Sequence, residues 1–172
     1  MKMIFRYAAL AGVASLLLFG LVWAQGKAEK PKGKASMIPA SGAALWDHMK
    51  KADYAKKWKM WPGTHALYPG KSPHGAFLTT YVNGPALKAI EAKKGVMPDG
   101  AIIAKQNFDR DKKYVVLTVM YKVKGYNPEG GDWFWAKYSP AGKVEAEGKI
   151  SGCINCHSKA GDNDFIFTSS LK

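Results

Sequence analysis

Two periodicities divide the chain. From Gly42 to Trp58 the large apolar residues Leu45, Trp46 and Met49, with Ala52, recur at helical spacing, and Lys50, Lys51, Asp53 and Lys57 lie largely on the other side. Ser41 precedes this stretch as a fair N-cap, so the pattern predicts one amphipathic helix over 42–58. After a stretch rich in turn-formers, WPGTHALYPGKSPHG, the period changes to two. Strands are expected at Phe77–Asn83, Ala101–Phe108 and Tyr114–Val123, and again in DWFWAKY. Pro85 opens a short helix reaching about Ala92, MPDG turns the chain, and Asp109–Lys112 forms a polar turn. The strand from Tyr114 is apolar on both sides, with Val115, Leu117, Val119, Tyr121 and Val123 on one and Val116, Thr118 and Met120 on the other. Several strands joined by short turns, with a helix before and a helical segment after, indicate an α+β fold: an antiparallel β-sheet with flanking helices.

The N-terminal pattern is different. Lys2 and Arg6 precede an apolar run, Ala8–Val22, and Val22-Trp23-Ala24 supplies a cleavage-type triplet, so residues 1–24 read as a signal peptide and the mature chain as exported. A retained membrane anchor is the alternative. Residues 25–37, QGKAEKPKGKASM, contain almost no large apolar side chain and read as a flexible linker, leaving 38–172 as the folded domain. Removing residues 1–24 takes away Lys2, Arg6 and no acid, so 24 basic residues face 13 acidic ones, a net charge of +11 over 148 residues. The lysines are spread along the chain instead of clustering with stacking aromatics, which argues against nucleic acid as a partner. An acidic redox partner or an anionic membrane face suits the charge better, and any single lysine is adequately explained as a solvated surface residue.

Chemistry concentrates near the C-terminus. Cys153 and Cys156 are the only cysteines, and His157 follows directly, giving the C-x-x-C-H arrangement that attaches haem c. On one helical turn two thiols three residues apart can reach both vinyl groups of a porphyrin, and the adjoining histidine offers a nitrogen to the iron. Three other uses compete. A structural zinc site needs four protein ligands, a redox C-x-x-C belongs beside a βαβ pattern that this chain lacks, and a plain disulfide leaves His157 without a role. Export supports haem, because attachment needs an oxidising compartment. One motif means one haem, with His157 as the proximal iron ligand, and function then depends on the opposite face.

The order AFLTTYVN, PDGAIIAKQ, VLTVMYKV, GDWFWAKY, CINCH and NDFIFT resembles the cytochrome P-460 and cytochrome c′-beta superfamily over most of the mature chain. The resemblance implies a periplasmic mono-haem protein, a homodimer, with five-coordinate iron and an open distal face. In the cytochrome P-460 branch a lysine cross-linked to the porphyrin and a distal carboxylate support hydroxylamine oxidation; the c′-beta branch has an apolar distal cap and binds nitric oxide. Aligned through Tyr81-Val82-Asn83 and Asp99-Gly100, the lysine's position falls on Leu78 and the carboxylate's on Gln106; in another register Lys71 or Lys105 approaches the haem. Leucine cannot cross-link and glutamine cannot serve as a general base, so the resemblance points first to an apolar pocket for nitric oxide or a similar small ligand.

An enzyme acting on hydroxylamine or another small nitrogen compound, with His74 or Gln106 in altered roles, is a second expectation. A six-coordinate electron carrier is the third. His74, in SPHGAF, is a candidate sixth ligand, distal group or ordinary loop histidine; Met60, Met97 and Met120 are formal axial candidates, while His48 and His65 stand in no motif. Asp162, Asn163 and Asp164 are expected to turn the chain so that Phe165 and Phe167 return over apolar surface. Trp133, Phe134 and Trp135 read as core and interface aromatics.

Overall fold

The structure is a computed structural model that describes residues 37–172. The expected signal peptide, and all of the expected linker except Met37, lie outside the described residues. Among the described residues, four α-helices and seven strands follow in the order α1 (Gly42–Lys51), α2 (Tyr54–Lys57), β1 (Lys59–Met60), β2 (Tyr68–Pro69), β3 (Phe77–Val82), α3 (Gly84–Glu91), β4 (Ile102–Phe108), β5 (Tyr114–Lys122), β6 (Trp133–Tyr138), β7 (Val144–Gly148) and α4 (Ser151–His157). One antiparallel sheet runs β1-β3-β4-β5-β6-β7, with β2 also on β3. The α+β expectation therefore holds.

The single helix expected over 42–58 is two. Asp53 adopts a left-handed conformation, φ 47°, between α1 and α2. A continuous helix would carry Tyr54, five residues past Met49, about 140° around the axis from it. The break instead buries Tyr54, which packs edge-on to Trp58 and Tyr81. Asp is among the few residues that tolerate this backbone region. Ser41 occupies the N-cap position, but its side chain caps nothing; the Gly42 N–H donates instead to Glu147 Oε2 at 2.7 Å, a carboxylate from β7 at the positive end of α1.

The short helix after Pro85 is α3, with the Asn83 side chain accepting from the Ala86 N–H at 3.2 Å. Strand β7 was not expected, because VEAEG offers only Val144 and Ala146 as apolar positions.

The sheet is covered on both faces, which explains why its strands are apolar on both sides. Leu45, Met49 and Tyr54 pack on the face formed by Ile102, Ala104, Leu117, Val119, Tyr121, Phe134, Ala136 and Tyr138. The other face presents Val82, Ile103, Met120, Trp133 and Trp135 to Ala86, Ala89 and Ile90 of α3 and to Phe165, Ile166 and Leu171 of the C-terminal segment. α4 sits on this second face, and a cavity opens between them.

Candidate functional site

The residues of α4 come together for a simple reason. Cys153 and Cys156 are three apart on a helix and so share one side of it, with His157 next to them. Both thiols are half-buried and unpaired, and burial, with Cys156 nearby, raises the pKa of the Cys153 thiol against a smaller opposing effect of Lys137. Cys153, Cys156 and His157 line one cavity of about 390 Å³, whose opposite wall is the sheet face carrying Ile103, Val116, Met120 and Trp135. A second cavity, about 520 Å³, shares His74, Lys105, Cys156, His157 and Phe167 with the first and adds Tyr68, Lys71 and Leu78. Each volume lies in the range, roughly 300–1,000 Å³, of sites that enclose cofactors and small ligands.

His157 is buried, its ring 4.8 Å from that of Trp135, 5.3 Å from that of Phe167 and 6.3 Å from that of His74. Its Nδ1 lies 2.7 Å from the carbonyl oxygen of Phe165. A carbonyl only accepts, so Nδ1 carries the proton and Nε2 keeps its lone pair.

That carbonyl is held in place by a fold-back of the chain. After α4 a 3₁₀ segment, Ser158–Asn163, leads into two left-handed residues, Asp164 (φ 54°) and Phe165 (φ 66°). Asp164 is buried and pairs with Lys122, its other oxygen accepting from the Met97 N–H at 2.7 Å. Its main-chain carbonyl accepts from Trp133 Nε1 at 3.0 Å, and Lys122 lies over the Trp133 ring at 4.7 Å. Breaking this pair would strand a buried charge, so it fixes the fold-back and, through the Phe165 carbonyl, the His157 ring. The turn expected at 162–164 is present; its ion pair with Lys122, 42 residues away, left no local signal in sequence.

His74 lies in the loop 70–76 between β2 and β3, half-buried, with Nδ1 3.0 Å from Asn107 Oδ1. Gly75 brings this loop against β4: a Cβ there would clash with the Phe108 backbone. Burial, then the nearby Lys105 charge, lowers the pKa of His74 to about 4 against the opposing effect of its hydrogen bond to Asn107. Burial also lowers that of His157, against the opposing hydrogen bond to Phe165, and so favours the neutral ring, the form that binds metal. Lys105 is lowered to about 8 by burial.

The alignment-based positions divide. Leu78 is buried and lines the second cavity beside His74 and Lys105. Gln106 does not join them, which corrects its expected distal position. It pairs with Thr79 and Leu117, whereas the cavity-facing residues of β4 pair as Lys105 with Thr80 and Thr118 and as Asn107 with Leu78 and Val116. Alternate residues of a strand face opposite ways, and Gln106 Nε2 donates to Tyr54 Oη at 3.3 Å on the closed face. The lysine in the wall of both cavities is Lys105, with Lys71 in the second.

Of the other axial candidates Met120 lines the first cavity, Met97 is in the core, and Met60 is exposed. His48 and His65 are both exposed, and His65 is paired with its neighbour's carbonyl at 2.9 Å. Among the described residues no group of three or more His, Cys, Asp or Glu assembles to hold a metal ion. Sequence reasoning missed Asn107 and undervalued Trp135, whose Nε1–H is buried in this wall with no hydrogen-bond partner among the described residues.

This wall suits a large apolar group with acceptor atoms and a metal. Two thiols sit on one helix side, an imidazole has a free Nε2, apolar side chains face them, and an orphaned indole N–H awaits an acceptor. Exposed Phe167 flanks the opening. These residues fit a haem.

No curated protein matches the chain in a sequence comparison. A family model described as Cytochrome P460 matches residues 51–168, taking in the sheet, the His74 loop and α4. That match spans more than half of the chain and implies haem binding; the protein belongs to the Cytochrome P460 family.

Proposed function

We propose that the protein is a periplasmic c-type mono-haem protein that binds nitric oxide or a similar small nitrogenous ligand on the iron face opposite His157. One observation carries the reading: the pinned Nδ1–H of His157 leaves Nε2 free in a cavity wall that also holds both thiols. Cys153 and Cys156 would hold haem c through two thioethers, and His157 would be the proximal ligand. The haem iron supplies a site for a small ligand and exchanges one electron. Ile103, Val116 and Met120 give that space an apolar wall, which would favour a small uncharged ligand. Trp135 Nε1–H is a donor for an acceptor group of the bound cofactor.

Export by a cleaved signal peptide over residues 1–24 agrees with the compartment that haem attachment needs. The excess of basic residues suits an acidic redox partner. A homodimer is the assembly that the superfamily resemblance suggests.

Optical titration of the purified holoprotein with nitric oxide tests the reading. A saturable change of the ferrous spectrum is expected, and replacing His157 by Ala should alter the spectrum from which it starts; a spectrum indifferent to nitric oxide contradicts the reading. A second reading, oxidation of hydroxylamine or a related compound, is favoured by Lys105, which stands in both cavity walls and is a lysine that could approach the haem although the aligned position is Leu78. A red-shifted Soret band abolished by Lys105→Met, together with hydroxylamine turnover, would decide for it.

A further inference from the structure

The cavity walls hold two imidazoles, and the second is as firmly oriented as the first. Asn107 is 1% exposed. Its Nδ2 donates to the carbonyls of Lys105 at 2.9 Å and Val116 at 3.1 Å, and its Oδ1 accepts the Gly75 N–H at 3.2 Å. Carbonyls accept only and a main-chain N–H donates only, so the amide has one orientation and Oδ1 is the atom facing His74. His74 Nδ1 must therefore be the protonated nitrogen, and its Nε2 holds a lone pair without a proton.

That tautomer decides between the roles open to His74. An Nε2 without hydrogen cannot donate to a ligand bound on iron. It can only accept a proton or bind a metal. His157 is in the same state through Phe165, and the two ring centres lie 6.3 Å apart in the wall of the same cavities. Two imidazoles sharing one metal through nitrogens about 2 Å from it would have centres roughly 6 Å apart. The separation matches. Anchoring the remote ring nitrogen to an amide or carbonyl oxygen is also how proteins orient metal-ligating histidines.

We propose that His74 is the second axial ligand of the haem iron, that Asn107 sets its coordinating tautomer, and that a small ligand binds by displacing it. The proposal rests on the haem reading and adds a gate to it. The resting protein is six-coordinate, and ligand entry waits on release of the His74 loop. Asn107 is a positioning residue, acting through His74.

Ferric electron paramagnetic resonance and optical spectra of the holoprotein test this, alongside staining for haem on a denaturing gel. Wild type is expected to be low-spin with covalent haem. His74→Ala is expected to be high-spin, with covalent haem kept and nitric oxide binding at least tenfold faster. Asn107→Leu, which removes the acceptor for Nδ1–H, should shift the population toward high-spin with covalent haem kept. A high-spin wild type carrying covalent haem overturns this proposal and leaves the haem reading standing. Absence of covalent haem overturns both. The wild-type spectrum decides even if a variant fails to fold.

Discussion

The two faces of one sheet are built to different ends. Against α1 the face is closed: Leu117, Val119, Tyr121 and Phe134 are buried, and the polar tips are paired, Tyr121 Oη donating to the Ile38 carbonyl at 3.0 Å and Tyr138 Oη to that of Gly42 at 2.9 Å. Against α4 the face is left open over two cavities, with an unpaired indole N–H and two imidazoles each keeping a free Nε2. Strand β4 serves both. Ile102, Ala104 and Gln106 face the closed side, and Ile103, Lys105 and Asn107 the open one. The lesson is one of parity: a shift of a single residue exchanges a structural glutamine for a lysine or an asparagine in the site.

Mutations on the two faces should therefore separate, and the largest effect belongs to the open one. His157→Ala is expected to keep covalent haem but abolish its normal axial ligation, read from the ferrous optical spectrum. Asp164→Asn leaves Lys122 charged and unpaired in a buried place; a loss of about 3–5 kcal/mol in denaturant unfolding is expected, with a disturbed haem spectrum because Phe165 follows directly. Adding Lys122→Met should recover part of that loss. If the spectrum stays unchanged while stability falls, the link from the ion pair to His157 is wrong.

Leu117→Ala, on the closed face, should cost about 2–5 kcal/mol and leave the haem spectrum as it was. Smallest of all is Gln106→Ala, which removes one 3.3 Å hydrogen bond and should cost about 1 kcal/mol without altering nitric oxide binding. A changed affinity would return Gln106 to the open face and undo the parity argument.

Much of this was legible in sequence, and the exceptions have physical causes. The alternation of Tyr114–Lys122 and the C-x-x-C-H spacing are local patterns, and both the strand and the helix that carries the motif are present. Which side of β4 faces the site is not local. With Ile102 and Ile103 both buried, the alternation has no polar side to mark. The split of the first helix depends on burying Tyr54 against Tyr81, 27 residues on. Asn107 orients a histidine 33 residues earlier, and β7 has too few apolar residues to declare itself.

The most direct test of the haem assignment is mass spectrometry of the peptide bearing Cys153 and Cys156, from protein made in a host with haem-attachment machinery. The account predicts a peptide heavier by one haem joined at both thiols, and no addition in the Cys153→Ser, Cys156→Ser double variant. An unmodified wild-type peptide, or one closed only as a disulfide, would contradict it.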